Sequence, residues 1–197
     1  MSAHLYHALK ALQEASNELL SEEQVKKAGN TIKACAIAAT VSGIGAGMLP
    51  GAGSVIATAT CVAAIWGMYV KINIDLGISI SENALKSLAS ALLTNIIASA
   101  GSLLAATIVV KVINWIPGLH FLSAPAEALI AYFAVLISGV LYIKLLTKLF
   151  KAKGSFQFTE NDVKDMARDI VKETNMNDLV NDANKSYKDD KKNGNVK

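Results

Sequence analysis

Residues 34–70 contain no charged side chain, and this uncharged stretch constrains the fold more than any other feature of the sequence. A single membrane-spanning helix needs about 20 apolar residues, so the stretch is too long for one span and slightly short for two complete spans. Pro50 and Gly51 lie near its middle, where proline disfavours helix in the preceding residue and glycine favours a turn. The stretch therefore predicts a helical hairpin, with a short first arm over about 32–48 and a longer second arm over about 52–75.

A second pair of apolar stretches follows, over 87–110 and 128–143. The first of these is long enough to cross a bilayer with some tilt. Pro117 and Gly118 lie between the two stretches and interrupt helix, so we predict a second hairpin that turns near Trp115–Ser123. No segment has convincing strand character. The predicted fold class is all-α: a membrane-associated helical bundle built from two hydrophobic hairpins with polar terminal helices.

The charged residues are concentrated at the two ends of the chain. We predict an amphipathic N-terminal helix over 1–30, a hydrophobic hairpin domain over 31–153, a polar helix over 154–176 that is capped at Thr159, and a disordered tail over 177–197. The N-terminal helix either lies on a membrane or partner, or packs on the protein's own core, because its apolar spacing suits both. Charges interrupt any apolar run near the start, so no signal peptide is predicted.

Glycines recur at four-residue spacing in the first apolar stretch, which removes side chains from one helix face and permits close helix packing. A phosphate-binding loop would require a preceding strand and a following Gly-Lys-Ser/Thr, and the sequence has neither. No nucleotide or other cofactor is therefore predicted. The residues that we assign to helix packing and turns are Gly43, Gly47, Pro50, Gly51, Pro117 and Gly118.

Three polar residues, Asn95, His120 and Glu127, lie within or beside the apolar stretches and form a candidate intramembrane polar site. An ionisable group at bilayer depth is costly and usually functional. Alternatively, Glu127 lies at the membrane boundary in the first turn of its helix, where a carboxylate suits the helix dipole. His4 and His7 are one helical turn apart but have no evident third ligand, so no metal site is predicted. No set of residues suits nucleophilic catalysis, and we predict that the protein is not an enzyme.

Lysines cluster before the first hairpin and after the last apolar stretch, and they are sparser in between. Lysines near the ends of hydrophobic segments bias those ends toward the cytoplasm. Both termini are therefore predicted to be cytoplasmic, with an even number of crossings. Whether 34–48 and 128–143 cross completely or only dip into the membrane stays open, as does the state of Cys35 and Cys61.

Several short motifs carry a family resemblance. The segment Val110–Gly118 places a lysine and several apolar residues before Ile-Pro-Gly. The turn at Met48–Gly51 is followed by a helix that carries Met68 and Tyr69, and a polar capped helix begins at Thr159. In this order the segments resemble a bacterial family of unknown function that includes the YcjF-type inner-membrane proteins and a domain that follows the GTPase domain in some bacterial GTPases.

The resemblance covers about residues 30–175. It implies a membrane-associated helical domain of the bacterial inner membrane that works with a GTPase. No GTPase domain is recognisable in these 197 residues, so the implied GTPase is a separately encoded partner. The family has no established catalytic residues to transfer to this sequence.

The leading functional hypothesis is a non-catalytic binding or scaffold module embedded in the membrane. The alternative is a pore-forming toxin or effector whose apolar hairpins are hidden in a soluble state and inserted later. A small transporter or channel is a third hypothesis, which depends on Asn95 and Glu127 alone. The expected partners are the lipid bilayer, the GTPase and a second copy of the chain. The net charge of +3 is too small and scattered to indicate nucleic acid.

Overall fold

The computed structural model describes residues 1–16, 19–41, 55–96, 123–154 and 158–196. Seven α-helices and no β-strand occur in these residues, which confirms the all-α prediction. In chain order the helices are α1 (Ala3–Ala15), α2 (Glu22–Ala39), α3 (Val55–Leu76), α4 (82–96), α5 (Ser123–Lys153), α6 (Glu160–Glu173) and α7 (Met176–Lys192).

The N-terminal segment forms two helices, where the sequence analysis predicted one helix over 1–30. A capping box starts α2: the Ser21 hydroxyl accepts a hydrogen bond from the Gln24 amide at 3.2 Å, and the Gln24 side chain accepts one from the Ser21 amide at 2.9 Å. This exchange satisfies backbone donors that have no partner inside a helix, so it favours a helix start at this point. Leu20, just before the cap, is 1% exposed and anchors the start of α2 in the core.

Helix α5 forms the core of the bundle. It packs against α1, α2, α3, α6 and α7, and every residue over 129–143 is buried. Fifteen consecutive residues make about four helical turns, so the helix is buried on all of its faces. A helix that is apolar all round must be surrounded by protein or by lipid. In this structure protein surrounds it.

Helices α2, α3 and α5 each have one of their ends at the same end of the bundle. The Gln24 side chain, near the start of α2, donates to the Leu76 carbonyl at the end of α3, so these helices are antiparallel. Two hydrogen bonds join α3 to α5 in the same order along both chains, so these helices run in the same direction. The end of α2, the start of α3 and the start of α5 therefore lie at the same end of the bundle. We call it the uncharged end, because the last residues of α2 and the first residues of α3 belong to the charge-free stretch 34–70.

The C-terminal segment is helical, which differs from the prediction. Residues 177–197 were expected to be a disordered tail, but α7 occupies most of this segment. Its buried face packs on α5, which supplies the apolar partner that the segment lacks when considered alone. The buried residues of α7 are Met176, Leu179, Val180, Ala183, Ser186, Tyr187 and Asp190.

The two predicted hairpin turns lie outside the described residues, except that Ser123 begins α5. The polar helix after the hydrophobic domain is present as α6. Its predicted capping box is confirmed: Thr159 accepts from the Asp162 amide at 3.3 Å, and the Asp162 carboxylate accepts from the Thr159 amide at 3.0 Å.

Candidate functional site: the apolar core helix and its polar contacts

The residues that the sequence assigned to packing and turns lie outside the part of the chain that the structure describes. They are Gly43, Gly47, Pro50, Gly51, Pro117 and Gly118, and His120 lies outside it as well. Glu127 falls near the start of α5, but its side chain is not among the described ones. Asn95 is exposed on α4, where its Nδ2 donates to the Ala91 carbonyl at 2.8 Å. The intramembrane polar site therefore stays a prediction.

Asn95 lines a groove between α4 and α6 with a volume of about 390 Å³. The floor of the groove is apolar, with buried side chains that include Leu88 on α4 and Val163 on α6. Among the described residues that line the groove, Lys172 is the charged one. This lining suits an apolar group better than an ion, because an ion needs several converging polar ligands.

The described residues contain no group of three or more side chains that could hold a metal ion. Both histidines of α1 have neighbours within the protein. Nδ1 of His4 lies 3.2 Å from a carboxylate oxygen of Asp182 on α7, and the His7 ring meets the Tyr6 ring edge-on at 5.6 Å. Packing within the bundle therefore accounts for the position of His4, whereas His7 and Tyr6 are both exposed on α1.

Two buried tyrosines join α3 to α5. The Tyr69 hydroxyl shares a hydrogen bond with the Ser138 hydroxyl, and the Tyr142 hydroxyl donates to Oδ1 of Asn73. The two tyrosine rings stack with their centroids 4.1 Å apart. Because buried polar groups are costly unless they are paired, these contacts specify one rotation and one register of α3 against α5.

A charged cluster joins α7 to α2 and α5, and we call it the Asp190 cluster. Asp190 is only 2% exposed. Its carboxylate accepts hydrogen bonds from the Tyr132 hydroxyl at 2.7 Å and from Asn195 at 3.0 Å, and it forms an ion pair with Lys33 at 3.0 Å. Ser186 completes the cluster, 2.9 Å from the Tyr132 hydroxyl.

The Asp190 carboxyl is held in its charged form. Burial opposes ionisation, but the hydrogen bonds from Asn195, Tyr132 and Lys33 outweigh it and lower the pKa of Asp190 below its usual value. A buried charge of this kind is stable only while its partners stay in place. The position of α7 therefore depends on one residue from α2 and one from α5.

Asp182 makes a second polar connection, from α7 to the start of α1. Its carboxylate accepts from the backbone amides of Ala3 at 3.1 Å and His4 at 2.9 Å, which have no partner within the first turn of α1. Burial opposes the charged form, but the hydrogen bonds from His4, Ser2 and Ala3 lower the pKa of Asp182. The two carboxylates, at 182 and 190, lie about two helical turns apart on α7.

Ion pairs bind the lysine-rich end of α5 to α6. Lys148 pairs with Glu173 at 2.6 Å, and Lys153 pairs with Asp162 at 3.1 Å. From the sequence alone, these lysines predict only the orientation of the hydrophobic segments. The structure adds that they hold the following helix across the end of the core helix.

Comparisons with protein-family models, with curated proteins and with solved structures gave no match. The resemblance to YcjF-type proteins therefore stays a prediction from short motifs. Helix α5 is long and apolar enough to cross a membrane, by length and composition, and other helices of the bundle enclose it.

Proposed function

We propose that this chain is a non-catalytic membrane-inserting protein, of the pore-forming toxin or effector type, in a water-facing form that stores its apolar helix. The observation that carries the proposal is the burial of Ala128–Lys153, since 94% of its most apolar window is enclosed by protein. A helix resting in lipid would turn apolar side chains outward. Helix α5 instead turns its apolar side chains toward five other helices.

The helices around α5 carry charge on their outer faces, which suits contact with water. On α1, Lys10 and Glu14 are exposed, and on α2 the exposed pair Glu23 and Lys27 lies 3.1 Å apart. Helices α6 and α7 are the most polar of the bundle. Burying these charges in hydrocarbon would cost several kcal/mol each, by order of magnitude, so this form is suited to an aqueous environment.

A membrane-embedded scaffold is the second candidate, and the surface near the uncharged end favours it. Between Lys33 and Lys71 the sequence has no charge, and the exposed residues of α2 and α3 in this interval are small or apolar. They include Ala34 on α2 and Gly67 on α3, and the exposed Val41 follows the end of α2. Such a surface suits a resting contact with lipid. A module embedded in this way would hold a separately encoded GTPase or a second copy of the chain at the membrane.

Fractionation of the native protein without detergent separates the two candidates. A stored, insertable form predicts a soluble pool that binds vesicles, and releases an entrapped dye from them, once the bundle is loosened by mild denaturant. An embedded scaffold predicts that all of the protein sediments with membranes and resists alkaline extraction. A soluble pool that binds no vesicles, either with or without mild denaturant, would contradict both candidates.

Labelling of introduced cysteines then gives the topology. Single cysteines at positions 48, 79 and 118, in a variant that lacks Cys35 and Cys61, report on the two predicted hairpin turns and on the exposed connection between α3 and α4. In the soluble form Ser79→Cys should react with a membrane-impermeant reagent. On vesicles, protection at 48 and 118 with continued reaction at 79 supports insertion at the uncharged end. Equal reaction at all three positions argues against it.

A further inference from the structure

Helix α7 packs on the core helix through contacts that are partly polar. Near the end of α7, Ser186 and Asp190 both contact the Tyr132 hydroxyl, and the Tyr187 ring meets the Tyr132 ring edge-on at 5.3 Å. By contrast, α2 meets α5 at a close apolar contact between Ile32 and Gly139.

Two carboxylates on α7 make polar contacts with the other helices. Asp182 binds the first amides of α1, and Asp190 binds Lys33 of α2 and Tyr132 of α5. If α7 moves away, Lys33 loses its ion-pair partner and the hydroxyl of Tyr132 loses the carboxylate to which it donates. Because buried charged hydrogen bonds fail together when one partner leaves, the contact favours two states, with α7 bound or α7 released.

We propose that α7 is an autoinhibitory cover, which keeps α5 out of the bilayer until the contacts of Asp182 and Asp190 are broken. This inference rests on the proposed function and specifies its regulation. Release of α7 uncovers the side of α5 that carries Tyr132, in the part of the helix toward the uncharged end. The apolar stretch then faces solvent or lipid on one side, while α1, α2 and α3 still hold the others.

The test compares Asp190→Asn with Asp189→Asn in the full chain. Both variants remove one negative charge from adjacent positions of α7, but Asp189 is exposed while Asp190 is buried in its cluster. In Asp190→Asn, amide hydrogen exchange over α7 should rise about tenfold or more, which corresponds to the loss of a charged buried hydrogen bond. Dye release from vesicles should accelerate by a similar factor, and Asp189→Asn should match the wild type in both measurements.

A second pair of variants alters α2 and leaves the sequence of α7 unchanged. Lys33→Met removes the cation that pairs with Asp190, and Lys27→Met removes an exposed lysine from the same helix. Lys33→Met should reproduce both effects of Asp190→Asn, and Lys27→Met should reproduce neither. Agreement between the α7 variants and the α2 variants assigns the effect to the contact between Asp190 and Lys33, because each pair of variants changes a different helix.

The outcomes separate the cover from the proposed function. Faster exchange over α7 together with vesicle binding and dye release at the wild-type rate would overturn the cover while leaving membrane insertion intact. Unchanged exchange over α7 in both Asp190→Asn and Lys33→Met would also overturn it. Absence of vesicle binding by every variant, even in mild denaturant, would overturn the proposed function itself.

Discussion

Helices α5 and α7 are opposite in composition, yet each has a buried face that depends on the other. Helix α5 is apolar on every side, and considered alone it looks like a membrane span. Helix α7 is so polar that the sequence analysis assigned its residues to a disordered tail. In the bundle α7 packs against α5 and places Asp190 beside Tyr132.

The difference shows why local composition misjudges both helices. A helix that is apolar all round gives a strong signal that it leaves water, but the signal does not say whether lipid or protein receives it. A polar helix with a narrow apolar face is unstable alone and becomes stable when a partner covers that face. Four predictions test how far this contrast holds, beginning with the largest expected effect.

All-round burial of α5 predicts equal damage from opposite faces of the helix. Leu141 and Ile143 are two residues apart, so their side chains point about 200° apart around the axis, and both are 0% exposed. Leu141→Ala and Ile143→Ala should each lower the free energy of unfolding by about 3 kcal/mol, through lost burial and the cavity left behind. Chemical denaturation without detergent measures both values.

Ile74→Ala is the control, because Ile74 on α3 is 70% exposed and its loss should cost less than about 0.5 kcal/mol. A large effect at only one of the two α5 positions would show that the other face is open, which contradicts complete enclosure.

Gly139 and Gly67 predict effects of opposite sign for the same substitution. A methyl group added at Gly139 would lie 2.5 Å from Cγ2 of Ile32, whereas nothing lies within 4 Å of the corresponding position at Gly67. Gly139→Ala should therefore destabilise the protein by about 1–2 kcal/mol, since overpacking exceeds the gain in helix propensity. Gly67→Ala should stabilise it by up to about 1 kcal/mol. Thermal melts of the two variants give the comparison, and matching shifts would contradict close packing of α2 on α5.

The carboxylates of α7 predict a pH dependence that appears only in acid. The pKa values of Asp182 and Asp190 lie below the ordinary 3.8, so their charged forms stabilise the folded state above about pH 4. This contribution is lost as the pH falls through the lower pKa values of the folded protein. Unfolding measured from pH 6 to pH 2.5 should show it, and the double variant Asp182→Asn and Asp190→Asn should have a flatter acid limb. An acid limb identical to that of the wild type would show that the two carboxylates do not contribute to the pH dependence of stability.

The smallest effect is expected at the start of α6. Thr159→Ala removes the hydroxyl that accepts from the Asp162 amide, and loss of such a cap costs about 1 kcal/mol. Thr159→Ser keeps the hydroxyl and should behave like the wild type. Amide exchange in the first turn of α6 localises the change. Equal stability of the alanine and serine variants would show that the cap contributes nothing measurable.

The sequence by itself determined the elements that depend on local interactions. The all-α class followed from apolar spacing and turn residues, and the cap at Thr159 followed from a four-residue motif whose hydrogen bonds form within one turn. The same type of motif at Ser21 and Gln24 was present but overlooked, and it divides the N-terminal segment into α1 and α2. The three-to-four spacing of Leu179, Ala183 and Tyr187 was an equally available signal for α7.

Only the tertiary structure decided which surface covers which. Asp190 and its partners Lys33 and Tyr132 are far apart in sequence, and no spacing rule connects them. The proximity of Gly139 to Ile32 likewise arises only when α2 lies across α5. Burial of α5 is favourable in any apolar surroundings, so composition determines only that this helix must leave water. The polar partners, which require particular distances and directions, determine that protein encloses it in this form.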